Sequence, residues 1–254
     1  MRLPEKPNHG LPRLQQGFLE LSETRTLCPK LNTFLLLLLI RFIIATSHIS
    51  VEAVEESGLS MKKFRIIKPE IRVLGVDDGT FTTHSGYAPI VGVVFRGGYW
   101  LDGVLSTRVK VDGFDATVKI ASMLVESPHY RQVRVIMLDG VTFGGFNIVN
   151  IKELNALTKL PVIVVTRDKP DFAEIHQALK SLSMSTERWA AVQDAGQVFE
   201  VQTRNSGERV YMEICGLPES DARRIVQMTS TRSSVPEALR VAHLVASGVS
   251  RSLA

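Results

Sequence analysis

The sequence predicts an α/β fold: a mixed β-sheet flanked by helices. Three features carry that expectation. Between Ile71 and Val111, three segments rich in β-branched residues follow one another with only short links. From Ala116 onward, stretches of helical period alternate with short and almost wholly apolar runs. Gly, Asp and Asn punctuate the ends of these segments. Strands joined by short turns pair antiparallel, and strands joined through a helix pair parallel, so the sheet should contain both kinds of ladder.

The elements follow in order. Ile71–Val76 (IRVLGV) is an unbroken apolar run stopped by Asp77-Asp78-Gly79, the pattern of a buried strand. Ile90–Phe95 (IVGVVF) is a second strand, ended by Arg96-Gly97-Gly98, and Tyr99–Val111 (YWLDGVLSTRVKV) is a third. The glycine pair between them is short enough to fix an antiparallel hairpin. The period then changes. Val118, Ile120, Ala121, Leu124 and Val125 share one stripe of a helix over Ala116–Glu126, with Asp115 or Thr117 placed to cap it. Val133–Leu138 is a strand ending in Asp139-Gly140. A helix over Ile148–Leu157 puts Ile148, Ile151, Leu154 and Leu157 in phase. Pro161–Thr166 is another buried strand and Phe172–Leu182 another helix. Gly196–Thr203 and Arg209–Cys215 form a hairpin across Asn205-Ser206-Gly207, and helices near Ser220–Met228 and Pro236–Ser247 close the chain. The order β-β-β-α-β-α-β-α is that of the ribonuclease H-like fold, here with a C-terminal hairpin and helices added.

The first sixty residues differ in kind. Residues 1–33 are polar, with four prolines and no sustained period. The apolar run Phe34–Ala45 spans 12 positions with Arg41 inside it, short of the roughly 20 apolar residues a membrane helix needs. The 33 residues before it are too long for a signal-peptide n-region. Two readings remain: residues 1–60 precede a true start at Met61, or residues 34–49 form an anchor, which would make the chain a membrane-tethered interaction protein. The expected domain division is an extension over 1–60 and one domain over 61–254. Residues 1–60 hold six Lys/Arg and six Asp/Glu, so the whole net charge of +4 belongs to the later part. A mild basic excess permits nucleic-acid binding without requiring it. Cys28 and Cys215 are the only cysteines, which argues against a disulfide framework or a clustered zinc site and fits a cytoplasmic location.

Acidic residues gather at three places. Asp77-Asp78 follows the first strand, Asp112 and Asp115 lie in VDGFDAT before the first helix, and Asp139 follows the fourth strand. If the first and fourth strands are parallel neighbours, Asp77 and Asp139 leave adjacent strand ends about 4.8 Å apart. Carboxylates that close repel unless a cation lies between them. Mg²⁺, with Mn²⁺ as a substitute, suits such a set of carboxylate oxygens and leaves room for water and phosphate ligands. Each Asp also fits a turn or cap. In the last helix, Glu237, Arg240 and His243 recur at intervals of three and lie near one face. His243 is placed for proton transfer, or else is a helix histidine beside surface ion pairs. Arg167 and Lys169, after the fifth strand, are candidate phosphate contacts along with Arg240, or solvated loop charges. The chain has no GxxxxGK[ST], HExxH or GxSxG. Its glycine run from Gly140 to Gly145 has the wrong spacing for a dinucleotide site and suits a close backbone approach.

Five blocks in order, GVDDG at 75–79, VDGFDAT at 111–117, MLDGVTFGGFN at 137–147, LPVIVVTRDKPD at 160–171 and PEALRVAH at 236–243, resemble a mainly archaeal family described as endonuclease dU, relatives of endonuclease V. The resemblance covers about residues 61–250 and leaves out 1–60. It implies a ribonuclease H-like fold and Mg²⁺-dependent cleavage of DNA at deoxyuridine or other deaminated bases, a repair activity. It also implies metal ligands at Asp77 and Asp139, with a third acid at Asp115, Asp112 or Asp78. The wedge with which endonuclease V probes DNA has no clear counterpart in this sequence. A non-catalytic nucleic-acid binding module on the same fold is the competing expectation.

Overall fold

The computed structural model describes residues 62–81, 86–203 and 207–251. The candidate anchor at 34–49, Met61 and the Asn205-Ser206 part of the expected turn lie outside them. Among the described residues, no helix is long and apolar enough to cross a membrane.

The chain opens with β1 (Arg72–Asp78), β2 (Tyr87–Arg96) and β3 (Trp100–Lys110), then α1 (Ala116–Val125). Next come β4 (Val135–Asp139), two short strands β5 (Thr142–Phe143) and β6 (Asn147–Ile148), α2 (Ile151–Thr158) and β7 (Val162–Thr166). Two helices, α3 (Phe172–Leu179) and α4 (Ser185–Asp194), lead into β8 (Phe199–Gln202) and β9 (Arg209–Cys215). The helices α5 (Glu219–Thr229) and α6 (Glu237–Arg251) complete the described chain.

One seven-stranded sheet runs in the order β3-β2-β1-β4-β7-β9-β8. The β1–β2 and β2–β3 ladders are antiparallel, whereas β1–β4 and β4–β7 are parallel. This is the ribonuclease H-like arrangement, extended by the antiparallel β9–β8 hairpin at the β7 edge. The central strands β1, β4 and β7 are buried along almost their whole length, because helices cover both faces; that is why they read as continuous apolar runs. One face carries Val73, Val91, Val93, Met137 and Ile163 against α5 and α6. The other carries Leu74, Val76, Ile90, Leu138 and Val164 against α1 and α2.

The helix α6 lies directly on β1. A Cβ on Gly75 would stand 2.4 Å from the carbonyl carbon of Ala238, and one on Gly79 would stand 2.8 Å from the carbonyl oxygen of Ala246. Glycine in the strand and alanine in the helix therefore set the separation of the two elements.

Three local expectations are corrected. Asp115 precedes α1 but makes no side-chain cap bond, and Thr117 does not cap it either. Asn147 Oδ1 accepts from the Ala116 N–H instead, at 3.0 Å, while Thr117 Oγ1 accepts from Asn150 N. The helix expected over Ile148–Leu157 begins at Ile151, because Asn150 Oδ1 accepts from Lys152 N and Glu153 N, both at 3.0 Å. Ile148 belongs to β6, and Leu157 is exposed. The helix α4 is absent from the sequence expectation, since only Arg188 and Val192 along it are buried and its apolar period is correspondingly faint.

Candidate active site

The register of the parallel ladder builds the site. Val76 pairs with Leu138, so Asp77 and Asp139 are the next residues of two adjacent strands at the same sheet end. Side chains alternate along a strand. Asp77 follows Val73 and Gly75, and Asp139 follows Val135 and Met137, so both carboxylates fall on the face that α6 covers. Asp78 falls on the other face, where its Oδ2 accepts from Gly144 N at 2.6 Å.

Because α6 runs along β1, its second turn brings His243 over Asp77. His243 Nδ1 lies 2.8 Å from Asp77 Oδ2, with 59% of the His243 side chain exposed. Asp77 is 5% exposed, and its Oδ1 also accepts from Asp78 N at 2.8 Å. One ligand atom each from Asp77, Asp139 and His243 lies within 4.8 Å of the other two.

The electrostatics follow from that crowding. Burial, then the neighbouring Asp139 carboxylate, lifts the Asp77 carboxyl from 3.8 to about 6, against the lowering effect of the His243 and Asp78 hydrogen bonds. Burial also raises Asp78, with the Gly144 N–H pulling back. Burial raises Asp139, opposed by the positive charges of Arg167 and His243. Three acids held near one another and partly desolvated disfavour their ionised forms. Two carboxylate oxygens and an imidazole nitrogen within 4.8 Å of one another form a donor set that fits around a divalent cation.

The other sequence candidates separate. Arg167 is exposed and stands close enough to Asp139 to act on its charge. Lys169 is exposed on the same loop. Arg240 is held by the fully buried Glu237, through Nε at 3.0 Å and Nη2 at 2.7 Å. Its guanidinium thus serves first to neutralise a buried carboxylate. Asp115 is not brought to the cluster: its Oδ1 accepts from Asn147 Nδ2 at 2.7 Å and from Lys110 N at 3.1 Å. Asp112, at φ +51°, accepts from Phe146 N at 2.8 Å and shapes a turn. Of the candidate third acids, Asp78 stands beside Asp77.

Two residues that pattern reasoning missed hold these loops. Asn147, fully buried, bridges Lys110 O, Asp115 and the start of α1. Arg188, 2% exposed, donates to the carbonyls of Ser183, Gly113, Asp112 and Phe146, and stacks 4.0 Å from the centre of the Phe114 ring. An internal arginine with carbonyl partners leaves no periodic mark in a sequence. The glycine run did leave one: Gly144 and Gly145 have φ +57° and +86°, and the Gly144 N–H reaches Asp78.

Comparison with other proteins gives a consistent picture. A family model described as "Endonuclease dU" matches residues 69–250. A UPF0215 protein of Methanothermobacter thermautotrophicus is 53% identical over 188 residues, covering 73% of this chain and 91% of its own. A crystal structure of a protein of unknown function from Archaeoglobus fulgidus superposes with a TM-score of 0.63 at 37% identity, covering 70% of this chain and 98% of that one. Endonuclease V from Streptomyces avermitilis shares the fold, with a TM-score of 0.50 at 14% identity over 73% of this chain and 85% of that one.

Proposed function

The chain belongs to the endonuclease dU family, and from that premise we propose that it is a divalent-metal-dependent endonuclease that cuts DNA at deoxyuridine or another deaminated base, a repair activity on cytoplasmic DNA. The observation that carries the proposal is the convergence of Asp77, Asp139 and His243 within 4.8 Å at the carboxyl end of the parallel strands, the sheet end where ligands of open α/β folds sit.

In this reading Asp77 and Asp139 hold the cation, with Asp78 alongside, and the carboxylate chemistry favours Mg²⁺ or Mn²⁺. When bound, the ion would neutralise charge that builds on the phosphodiester and its leaving oxygen. Asp77 has a second task. Its hydrogen bond to His243 Nδ1 orients the imidazole and leaves Nε2 on the open side, where it can give or take a proton at the reacting oxygens. The assignment of Nδ1 as the protonated nitrogen follows from its carboxylate partner. Arg167, beside Asp139, is placed to meet a phosphate oxygen, and Lys169 extends the same positive edge. The Gly144 N–H fixes Asp78 without adding charge.

The test is a nicking assay on duplexes carrying one uracil, hypoxanthine or xanthine, with Mg²⁺ and with EDTA. Cleavage should need the cation and disappear in Asp77→Asn and Asp139→Asn while both variants stay folded. DNA binding without any product, indifferent to Asp77 and to Mg²⁺, would identify a non-catalytic binding module instead.

A further inference from the structure

A second cluster lies two strands from the aspartates, and the reaction proposed above does not use it. Its place follows from register. Asp77 pairs with Val91, and Val91 with Ser106; Asp78 pairs with Ile90, and Ile90 with Thr107. Two strand spacings of about 4.8 Å put Ser106 and Thr107 roughly 10 Å from the aspartates along the sheet. There, at the open β3 edge, Tyr87, Ser106, Thr107, Arg108 and Lys119 line a cavity of about 480 Å³. Three elements contribute: Tyr87 begins β2, Ser106–Arg108 belong to β3, and Lys119 comes from α1.

The chemistry of the lining is one-sided. Its lining residues include two cations and no carboxylate. Arg108 and Lys119 are both exposed, and among the described residues neither forms an ion pair. Elsewhere on this protein the exposed arginines Arg209 and Arg232 do find carboxylates. Cations with Ser, Thr and Tyr hydroxyls are the groups that contact nucleic-acid phosphates.

We propose that this cavity seats the phosphodiester backbone of the DNA beside the bond at Asp77 and Asp139, with Arg108 and Lys119 as its phosphate contacts. That it lies beside a cut rests on the nuclease reading; the binding itself does not.

The test uses the full chain and a duplex of about 24 base pairs with one deoxyuridine, its binding followed by fluorescence anisotropy in EDTA from about 50 to 200 mM KCl. Wild type is compared with Arg108→Ala, Lys119→Ala and the double variant, and with Arg224→Ala as an exposed control on α5. Each cavity substitution should make the slope of log K against log salt shallower by about 0.9, and the double by about 1.8. The control should keep the wild-type slope, and kcat at saturating duplex should be unchanged throughout. An unchanged slope in the double variant, an equal change in the control, or a fall in kcat with an unchanged slope would each overturn the proposal. Inorganic pyrophosphate is the second probe. If it binds wild type more tightly than the duplex does and fails to bind the double variant, the cavity takes a free phosphate compound and the backbone assignment is wrong. Asp77→Asn should bind with the wild-type slope, which separates this proposal from the fate of the nuclease reading.

Discussion

Removing the Asp77 charge should make the metal-free protein more stable. Its carboxyl is held at about 6 against an ordinary 3.8, and each unit corresponds to 1.36 kcal/mol. Keeping it ionised at pH 7 therefore costs the fold about 3 kcal/mol. Only 5% of the residue is exposed, so solvent screening does little to reduce the figure. The sign follows from the order of the two values. The folded protein holds this proton more tightly than the unfolded chain does, so stability falls as pH rises from about 4 to about 6 and is level above that. Asp77→Asn escapes the penalty, a figure that already includes the opposing His243 contact. The net gain at pH 7 in EDTA is up to about 3 kcal/mol, or roughly 6–12 °C in Tm for a domain of this size. Saturating Mg²⁺ should reverse the order: at a thousand times Kd it adds about 4.1 kcal/mol to wild type alone. Circular-dichroism melts at pH 4.5 and pH 7, with EDTA and with Mg²⁺, separate these effects. A variant no more stable than wild type at pH 7 in EDTA, with a gap that ignores pH, would refute the electrostatic picture of the site.

Three further outcomes are expected. Gly75→Ala puts a methyl 2.4 Å from the Ala238 carbonyl carbon; it should cost about 1–3 kcal/mol, draw α6 off β1 and break the 2.8 Å contact of His243 Nδ1 with Asp77, read as changed His243 ring chemical shifts at a single pH. Glu213 is 4% exposed, and burial raises its carboxyl from 4.5 to about 7, so it weakens the fold increasingly as pH climbs through that range. Glu213→Gln should gain up to about 3 kcal/mol above pH 7 and nothing below about pH 4.5, read from urea unfolding at the two pH values. Asp115→Asn should leave divalent-cation affinity within about twofold while lowering stability by about 1 kcal/mol through its hydrogen bonds to Lys110 and Asn147. Calorimetry showing a loss as large as that of Asp139→Asn would return Asp115 to the metal set.

The layers of this protein, and two of its clustered acids, were legible in the residues alone. Strands buried on both faces must be apolar throughout, and their stops at Asp77 and Asp139 are visible for the same reason: at each the apolar run gives way to a carboxylate. From those stops, parallel pairing alone places two carboxylates together. The glycine run also marked a close backbone approach, because a Cβ at Gly144 would stand 2.9 Å from the Ala88 methyl. Contacts between residues distant in the chain fixed the rest. Asp115 sits in a motif as acidic as the Asp77–Asp139 pair, yet Asn147, 32 residues away, draws it into a loop bond. Arg240 and His243 lie one turn apart on the same helix, but one neutralises the buried Glu237 and the other caps Asp77, according to what lies beneath each. Arg188 closes two loops through backbone carbonyls, which any sequence presents. Local periodicity records which side chains leave water. It does not record which distant partner satisfies a polar group once it is there, and at this site that second choice separates Asp77 from Asp115.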